Sequence, residues 1–72
     1  MKKAAGKLNK NLARNLRIAR ATQDISQEEL ALRCGLHRTY IGAVERCERN
    51  ITLRTLELLA KGLGMNPIDL LT

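Results

Sequence analysis

Apolar residues recur along the chain at intervals of three and four, in segments separated by short polar breaks. The first segment extends from about residue 8 to residue 22, and the polar run TQD interrupts the pattern after it. This spacing places the apolar side chains along one face of a helix. The stripe consists of Leu8, Leu12, Leu16 and Ala19, and the arginines between its members are Arg14, Arg17 and Arg20.

Two paired signals mark the start of a second helix. Ser26 and Glu29 form a capping box, in which a hydroxyl and a carboxylate satisfy the backbone N–H groups at a helix start. Ile25 and Leu30 are spaced for the hydrophobic staple that accompanies such a cap. Gly35 follows after about eight helical residues and favours the left-handed backbone that ends a helix. We therefore predict a short helix between Ser26 and Gly35.

Three further helices are predicted downstream. The third extends from about residue 38 to residue 46. Thr52 caps the fourth, and Gly64 ends it. Asn66 followed by Pro67 is typical of a helix start, so a short fifth helix is predicted over PIDLL. The pattern predicts an all-α fold, a compact domain of five helices joined by short turns.

Composition and charge narrow the classes of function. The 72 residues make one domain near the lower size limit for independent folding. A formal net charge of +6 favours nucleic acid as a partner. No apolar run approaches the roughly 18 residues of a membrane span, and the first lysines precede no signal-peptide core. We predict a cytoplasmic protein with no membrane partner, comprising a basic N-terminal arm at residues 1–7 and a helical domain at residues 8–72.

The sequence contains no recognisable enzymatic or metal-binding pattern. The single histidine, His37, has no neighbouring serine or acid arranged as a catalytic triad, and no glycine loop is suited to cradling phosphate groups. Cys34, His37 and Cys47 lack the fourth ligand and the paired spacing of a zinc site. We predict no catalytic residue, no metal and no cofactor, and we expect both cysteines to be reduced.

The segment from residue 27 to residue 46 satisfies the packing demands of a helix-turn-helix. Ala31 supplies the small residue needed where the two helices touch, and Gly35 supplies the turn residue that tolerates a positive φ. Ile41 and Val44 project from one side of the third helix toward the core. A generic pair of helices would meet all these demands only by chance, so this motif is the main functional prediction.

The run SQEELALRCGLHRTYIGAVERCERNITLRTLELLAKGLG resembles the helix-turn-helix of phage repressor and Cro proteins. It is closer still to the controller proteins of restriction–modification operons, in which RTYIxxxERxxRN followed by T-x-x-[ST]-L-E-L is typical. This chain has RTYIGAVERCERN followed by TLRTLEL, and the similarity covers roughly residues 12 to 71. The resemblance implies a repressor-like domain that binds double-stranded DNA, and an autoregulatory controller protein that acts as a homodimer on a partly palindromic operator.

The exposed side of the third helix is the predicted reading surface. Arg38 lies near its start, where an arginine can donate two hydrogen bonds to guanine, and Thr39 can contact a base or a phosphate. Arg46 and Arg49 lie toward its far end, where phosphate contact is as plausible as base reading. The resemblance implies DNA contacts at Arg38, Thr39 and Arg49. Gly42 costs helix stability, so it is either merely tolerated or allows close approach to a duplex.

Phosphate contacts are predicted around this surface. Gln27 stands at the start of the second helix, where free N–H groups and the helix dipole favour an anion, and the resemblance implies the same role. Tyr40 is expected to pack its ring and to direct its hydroxyl toward a phosphate. The remaining predicted phosphate contacts are Ser26, His37 (also a weak cap of the third helix), Ala43 and Asn50. The resemblance also implies a structural salt bridge between Arg20 and Glu45.

One recognition helix covers few base pairs, so a dimer is expected, with an interface formed by the end of the fourth helix and the fifth. RNA polymerase is a further candidate partner. Two other readings remain open: an antitoxin or a phage or plasmid repressor that also binds a protein partner, and a protein- or RNA-binding bundle. The predicted dimer residues are Leu63, Met65, Asn66, Pro67, Ile68 and Leu71, within residues 63–72; Ile68 and Leu71 are alternatively caps of the monomer's own core.

Overall fold

The computed structural model describes residues 6–72. The basic arm predicted at residues 1–7 lies outside the described residues except for its last two, and Lys7 is the first residue of a helix. Four α-helices and a C-terminal 3-10 turn are found in the described chain. They are α1 (Lys7–Gln23), α2 (Gln27–Cys34), α3 (Arg38–Glu45), α4 (Leu53–Leu63) and the 3-10 turn (Pro67–Leu70).

The all-α class is confirmed, but the prediction of a fifth α-helix is wrong. The segment after Asn66 is a single 3-10 turn, in which Asp69 N donates to the Asn66 carbonyl and Leu71 N donates to the Ile68 carbonyl, both at 2.9 Å. Four residues offer too few i to i+4 hydrogen bonds to offset the cost of nucleating an α-helix. The cap at Asn66 is nevertheless formed, because its side chain accepts from Ile68 N at 3.0 Å.

The helix boundaries follow from the capping residues. Ser26 Oγ accepts from Glu29 N at 3.0 Å, and Thr52 Oγ1 accepts from Thr55 N at 3.1 Å. Gly35 ends α2 with a φ of 70°, in the left-handed region that glycine adopts without steric cost. His37 occupies the position before α3, but its side chain makes no capping hydrogen bond. Of these residues, Gly35 lies in the turn between α2 and α3 and lets the chain change direction there.

The core receives at least one fully buried aliphatic side chain from each element. Gly62 lies at the crossing of α4 with α2, and a Cβ placed there would lie 2.5 Å from Cys34 Sγ. The two helices therefore approach more closely than any larger residue would allow, which holds the helix-turn-helix against the rest of the domain. The side chains that are 0% exposed are Leu16, Leu30, Ile41, Leu59 and Leu70, and Val44 of α3 is also fully buried.

Asparagines of α1 attach the C-terminal segment. Asn11 Nδ2 donates to the Leu71 carbonyl at 2.8 Å, and Asn15 Nδ2 donates to the Leu70 carbonyl at 3.0 Å. These bonds satisfy carbonyls that a single 3-10 turn leaves unpaired.

No helix within residues 6–72 combines the length and apolar character that crossing a membrane requires.

Candidate nucleic-acid interface

The third helix divides its residues between the core and the solvent. Ile41 and Val44 are 0% and 2% exposed and anchor α3 to the domain. Arg38 and Thr39, the first two residues of α3, are exposed, and neither side chain has a hydrogen-bond or ionic partner within residues 6–72. The start of α3 therefore presents a guanidinium and a hydroxyl that are both available to a ligand.

Tyr40 and Arg49 are brought together by the loop that follows α3. The guanidinium carbon of Arg49 lies 5.4 Å from the centre of the Tyr40 ring, which is within the range of a cation–π interaction. The Tyr40 ring itself is half-buried and packs against the core. Tyr40 thus supports Arg49, an exposed residue that has no helix of its own to orient it.

Arg46 lies at the C-terminal end of α3, where its backbone N–H donates to the Gly42 carbonyl at 3.1 Å. The sequence predicted α3 to residue 46, but α3 ends at Glu45 and Arg46 is its C-cap. Arg46 Nε donates to Glu48 Oε1 at 3.1 Å, and the Arg46 guanidinium lies back across Gly42. This arginine is therefore held by the loop after α3, away from the two residues that begin the helix.

Glu45 joins three helices. Its carboxylate is 4% exposed and receives Arg20 of α1 through two hydrogen bonds, Nε to Oε2 at 2.6 Å and Nη2 to Oε1 at 2.8 Å. Gln27 of α2 donates from Nε2 to the same Oε1 at 3.0 Å. Arg17 donates to the Glu45 backbone carbonyl. The network fixes α3 relative to α1 and α2, and it orients the Gln27 amide that was predicted to bind phosphate.

Opposing effects act on the pKa of Glu45. Burial raises it, whereas hydrogen bonds from Arg20 and Gln27 and the positive charges of Arg20 and Arg17 lower it. The attractive interactions prevail, so the pKa of Glu45 lies below its ordinary value of 4.5. Glu45 is therefore ionised at neutral pH although it is buried, because its charge is matched by Arg20.

The close-approach explanation of Gly42 is not supported by its surroundings. Gly42 is buried, and the atoms that cover it belong to the side chains of Gln27 and Arg46. Its neighbour Ala43 is half-buried. The glycine is therefore already covered in the free protein instead of forming an open floor for a duplex.

The other predicted phosphate contacts lie on the outside of the motif. Ser26, His37 and Asn50 are exposed. Asn9 Nδ2 donates to Asn50 Oδ1 at 2.7 Å, which leaves the Asn50 amide nitrogen as a donor toward solvent. Across residues 6–72, no three histidine, cysteine, aspartate or glutamate side chains lie close enough to hold one metal ion.

Comparison with known proteins identifies the family. The helix-turn-helix family matches residues 16–71. The control protein C.SmaI of Serratia marcescens is 57% identical over 61 residues, which are 85% of this chain and 73% of that protein. The chain belongs to the restriction–modification control proteins. The family is one of transcription regulators, as the sequence resemblance implied.

Two solved structures of control proteins have the same fold. The restriction–modification controller protein C.AhdI of Aeromonas hydrophila superposes with a TM-score of 0.82 at 39% identity, covering 86% of this chain and 94% of C.AhdI. The controller protein C.Esp1396I, solved as a tetramer on its natural 35-base-pair operator, superposes with a TM-score of 0.81 at 35% identity, covering 88% of this chain and 83% of that chain.

In this control protein the predicted dimer residues do not form one exposed face. Leu63 is 4% exposed and belongs to the core, because the apolar stripe of α4 that contains it packs inward, where α4 contacts α2 and the 3-10 turn. Ile68 is 65% exposed, whereas Leu71 is half-buried against the core. Asn66 caps the 3-10 turn and Pro67 is its first residue. Of these residues, Ile68 is the large apolar side chain that reaches solvent.

Ile18 is a surface residue that was not predicted from the sequence. Ile18 lies off the apolar stripe of α1, is 53% exposed, and lines an open groove of about 290 Å³ with Ala19 and Met65. A β-branched residue outside the stripe was the signal that could have found it. The exposed apolar surface beside the 3-10 turn therefore includes α1 as well as the C-terminal segment.

Proposed function

We propose that this control protein binds a partly palindromic operator near its own promoter as a homodimer, and that it regulates its restriction–modification operon. The observation that carries the proposal is that two polar side chains at the exposed start of α3, Arg38 and Thr39, have no partner within residues 6–72. Arg38 donates to the O6 and N7 edge of guanine, and Thr39 contacts an adjacent base or phosphate.

Residues around α3 supply the remaining contacts in this proposal. Arg49, supported by the Tyr40 ring, reads a base edge. The phosphate contacts come from residues that are exposed or half-buried around α2, α3 and the following loop, and they hold α3 in register with the groove. They are Ser26, Gln27, His37, Tyr40, Ala43 and Asn50.

A filter-binding comparison tests the class of ligand. The protein is titrated against a duplex from upstream of its gene, an unrelated duplex of equal length, and an RNA of equal length. We expect the upstream duplex to bind most tightly, because base contacts add to the electrostatic attraction that all three ligands share. Equal retention of RNA and upstream duplex would contradict the proposal.

RNA polymerase is a proposed second partner, since an operator beside a promoter places the dimer within its reach.

Substituting Ile68 with aspartate is expected to convert the dimer into a monomer. The proposed dimer interface centres on Ile68, which is exposed, and extends over the groove lined by Ile18 and Met65. A charge placed there would be buried without a partner in the dimer. Sedimentation velocity should show the mass of one chain for Ile68→Asp at concentrations where the wild type shows two.

The matched control is Leu32→Asp, which adds the same charge at a side chain that is 79% exposed on α2. This variant should keep the wild-type mass. Dissociation by both substitutions, or by neither, would show that Ile68 is not at the interface.

A further inference from the structure

The proposed function does not explain why residue 42, a buried position inside α3, is a glycine. It lies inside an eight-residue helix, where glycine is less favourable than alanine, and it is nevertheless buried. A Cβ at this position would lie 3.1 Å from Arg46 Nη1, 3.5 Å from Gln27 Oε1 and 3.7 Å from Gln27 Nε2. The space that a side chain would fill is thus occupied by two polar groups from outside α3.

Each of the two groups is held at one end and open at the other. Gln27 Nε2 donates one hydrogen to Glu45, and Arg46 Nε donates to Glu48. The second hydrogen of Gln27 Nε2 and the Nη groups of Arg46 have no partner within residues 6–72. Open donors from two elements therefore converge within 3.7 Å of the same point above Gly42.

We infer that Gly42 is a positioning residue. Its missing Cβ leaves space for the side chains of Gln27 and Arg46 to lie side by side, where both bind the same operator phosphate. This inference rests on the proposed function. A phosphodiester oxygen pair suits a neutral amide donor beside a guanidinium, because the anion accepts from both and its charge is matched by Arg46. In this arrangement Arg46 contacts the DNA backbone, and the bases are contacted by residues at the start of α3 and by Arg49.

Enlarging residue 42 separates this role from a structural one. The nearest obstacle to a Cβ is the end of the flexible Arg46 side chain, so the fold can accommodate Gly42→Ala, and alanine favours helix more than glycine. The longer side chain of Gly42→Met must displace both Arg46 and Gln27. Gly62→Ala is the contrast, because its Cβ meets Cys34 Sγ at 2.5 Å inside the core. We expect Gly62→Ala to lower the thermal midpoint most and Gly42→Ala to match or exceed the wild-type midpoint, whereas Gly42→Met, which displaces Gln27 from Glu45, should lower it by less than Gly62→Ala.

The affinity for DNA is expected to fall in both Gly42 variants. Gly42→Met displaces both donors, so its affinity should fall about tenfold or more on operator and random duplexes alike, and Gly42→Ala should fall by a smaller factor. The operator duplex for this measurement is one recovered by selection of bound sequences from a random pool. In a background carrying Gln27→Ala and Arg46→Ala, Gly42→Met should cause no further loss. A loss that persists in this background would show that residue 42 meets DNA directly and would overturn the inference.

Ethylation interference tests whether one phosphate is shared. Ethylation of that phosphate should weaken the wild type, and Gln27→Ala and Arg46→Ala should each abolish the interference at the same position. Interference lost at two different positions would overturn the shared contact. If the wild type binds the selected duplex and Gly42→Met binds it equally well, the inference alone fails. If the wild type shows no preference for any duplex, the proposed function fails.

Discussion

Replacing Glu45 with alanine is expected to lower the free energy of unfolding by about 3 kcal/mol. The substitution removes a carboxylate that is 4% exposed and leaves Arg20, whose side chain is 21% exposed, without its two charged hydrogen bonds. It also removes the acceptor of Gln27. Breaking one side of a buried ion pair leaves an uncompensated charge, and partial access of water to Arg20 keeps the cost at the lower end of the usual range. Urea unfolding followed by circular dichroism measures it.

The double variant Arg20→Met with Glu45→Leu is the control. It removes both charges and fills their space, so it should recover most of the lost stability. Recovery would assign the loss in Glu45→Ala to the stranded charge. A Glu45→Ala variant that unfolds at the wild-type urea concentration would contradict the role of the network.

Acid should weaken the same network. The pKa of Glu45 is depressed in the folded state, so its contribution to stability is present above the ordinary value of 4.5 and disappears as the pH falls through the folded value. The wild type should therefore lose stability relative to Glu45→Gln below pH 4.5, and the gap between the two proteins should stay constant from neutral pH down to that point.

Replacing Arg38 with alanine is expected to weaken operator binding by about 1–3 kcal/mol, with a much smaller effect on random duplex. Arg38 is exposed at the start of α3 and has no partner within the described chain, so its truncation removes a ligand contact and leaves the core intact. Fluorescence anisotropy against both duplexes at one salt concentration measures the ratio of affinities.

Two variants control for charge. Arg38→Lys keeps the charge but loses the planar fork, so it should restore random-duplex affinity without restoring the preference for operator. Arg33→Ala removes one charge at a site where Gln23 and Glu29 already engage the guanidinium. It should leave the affinity ratio unchanged. An unchanged ratio in Arg38→Ala would remove Arg38 from the base-reading surface.

Sequence reasoning succeeded where one local pattern determines the outcome. The capping box at Ser26 and Glu29 and the left-handed turn at Gly35 depend on residues a few positions apart, so both could be predicted. The buried side of α3 followed from the spacing of Ile41 and Val44.

The sequence predictions that differ from the structure concern positions whose surroundings are set by tertiary contacts. The guanidinium of Arg46, the C-cap of α3, lies across Gly42, so a glycine that the sequence placed on an open surface is covered. Leu63 was predicted at the dimer surface but fills the core, because α4 packs its whole apolar stripe inward. Ile18 was overlooked, since periodicity identifies buried positions and does not say which exposed apolar side chains lie together.

Selection of bound sequences from a random duplex pool distinguishes operator binding by a homodimer from non-specific binding to DNA. The protein is incubated with the pool at a fixed salt concentration, and the recovered duplexes are sequenced after several rounds. We expect a partly palindromic consensus with two half-sites whose centres lie about one helical turn apart, and Arg38→Ala should lose enrichment at matched positions in both half-sites. A pool that shows no consensus, or one with a single unpaired half-site, would contradict it.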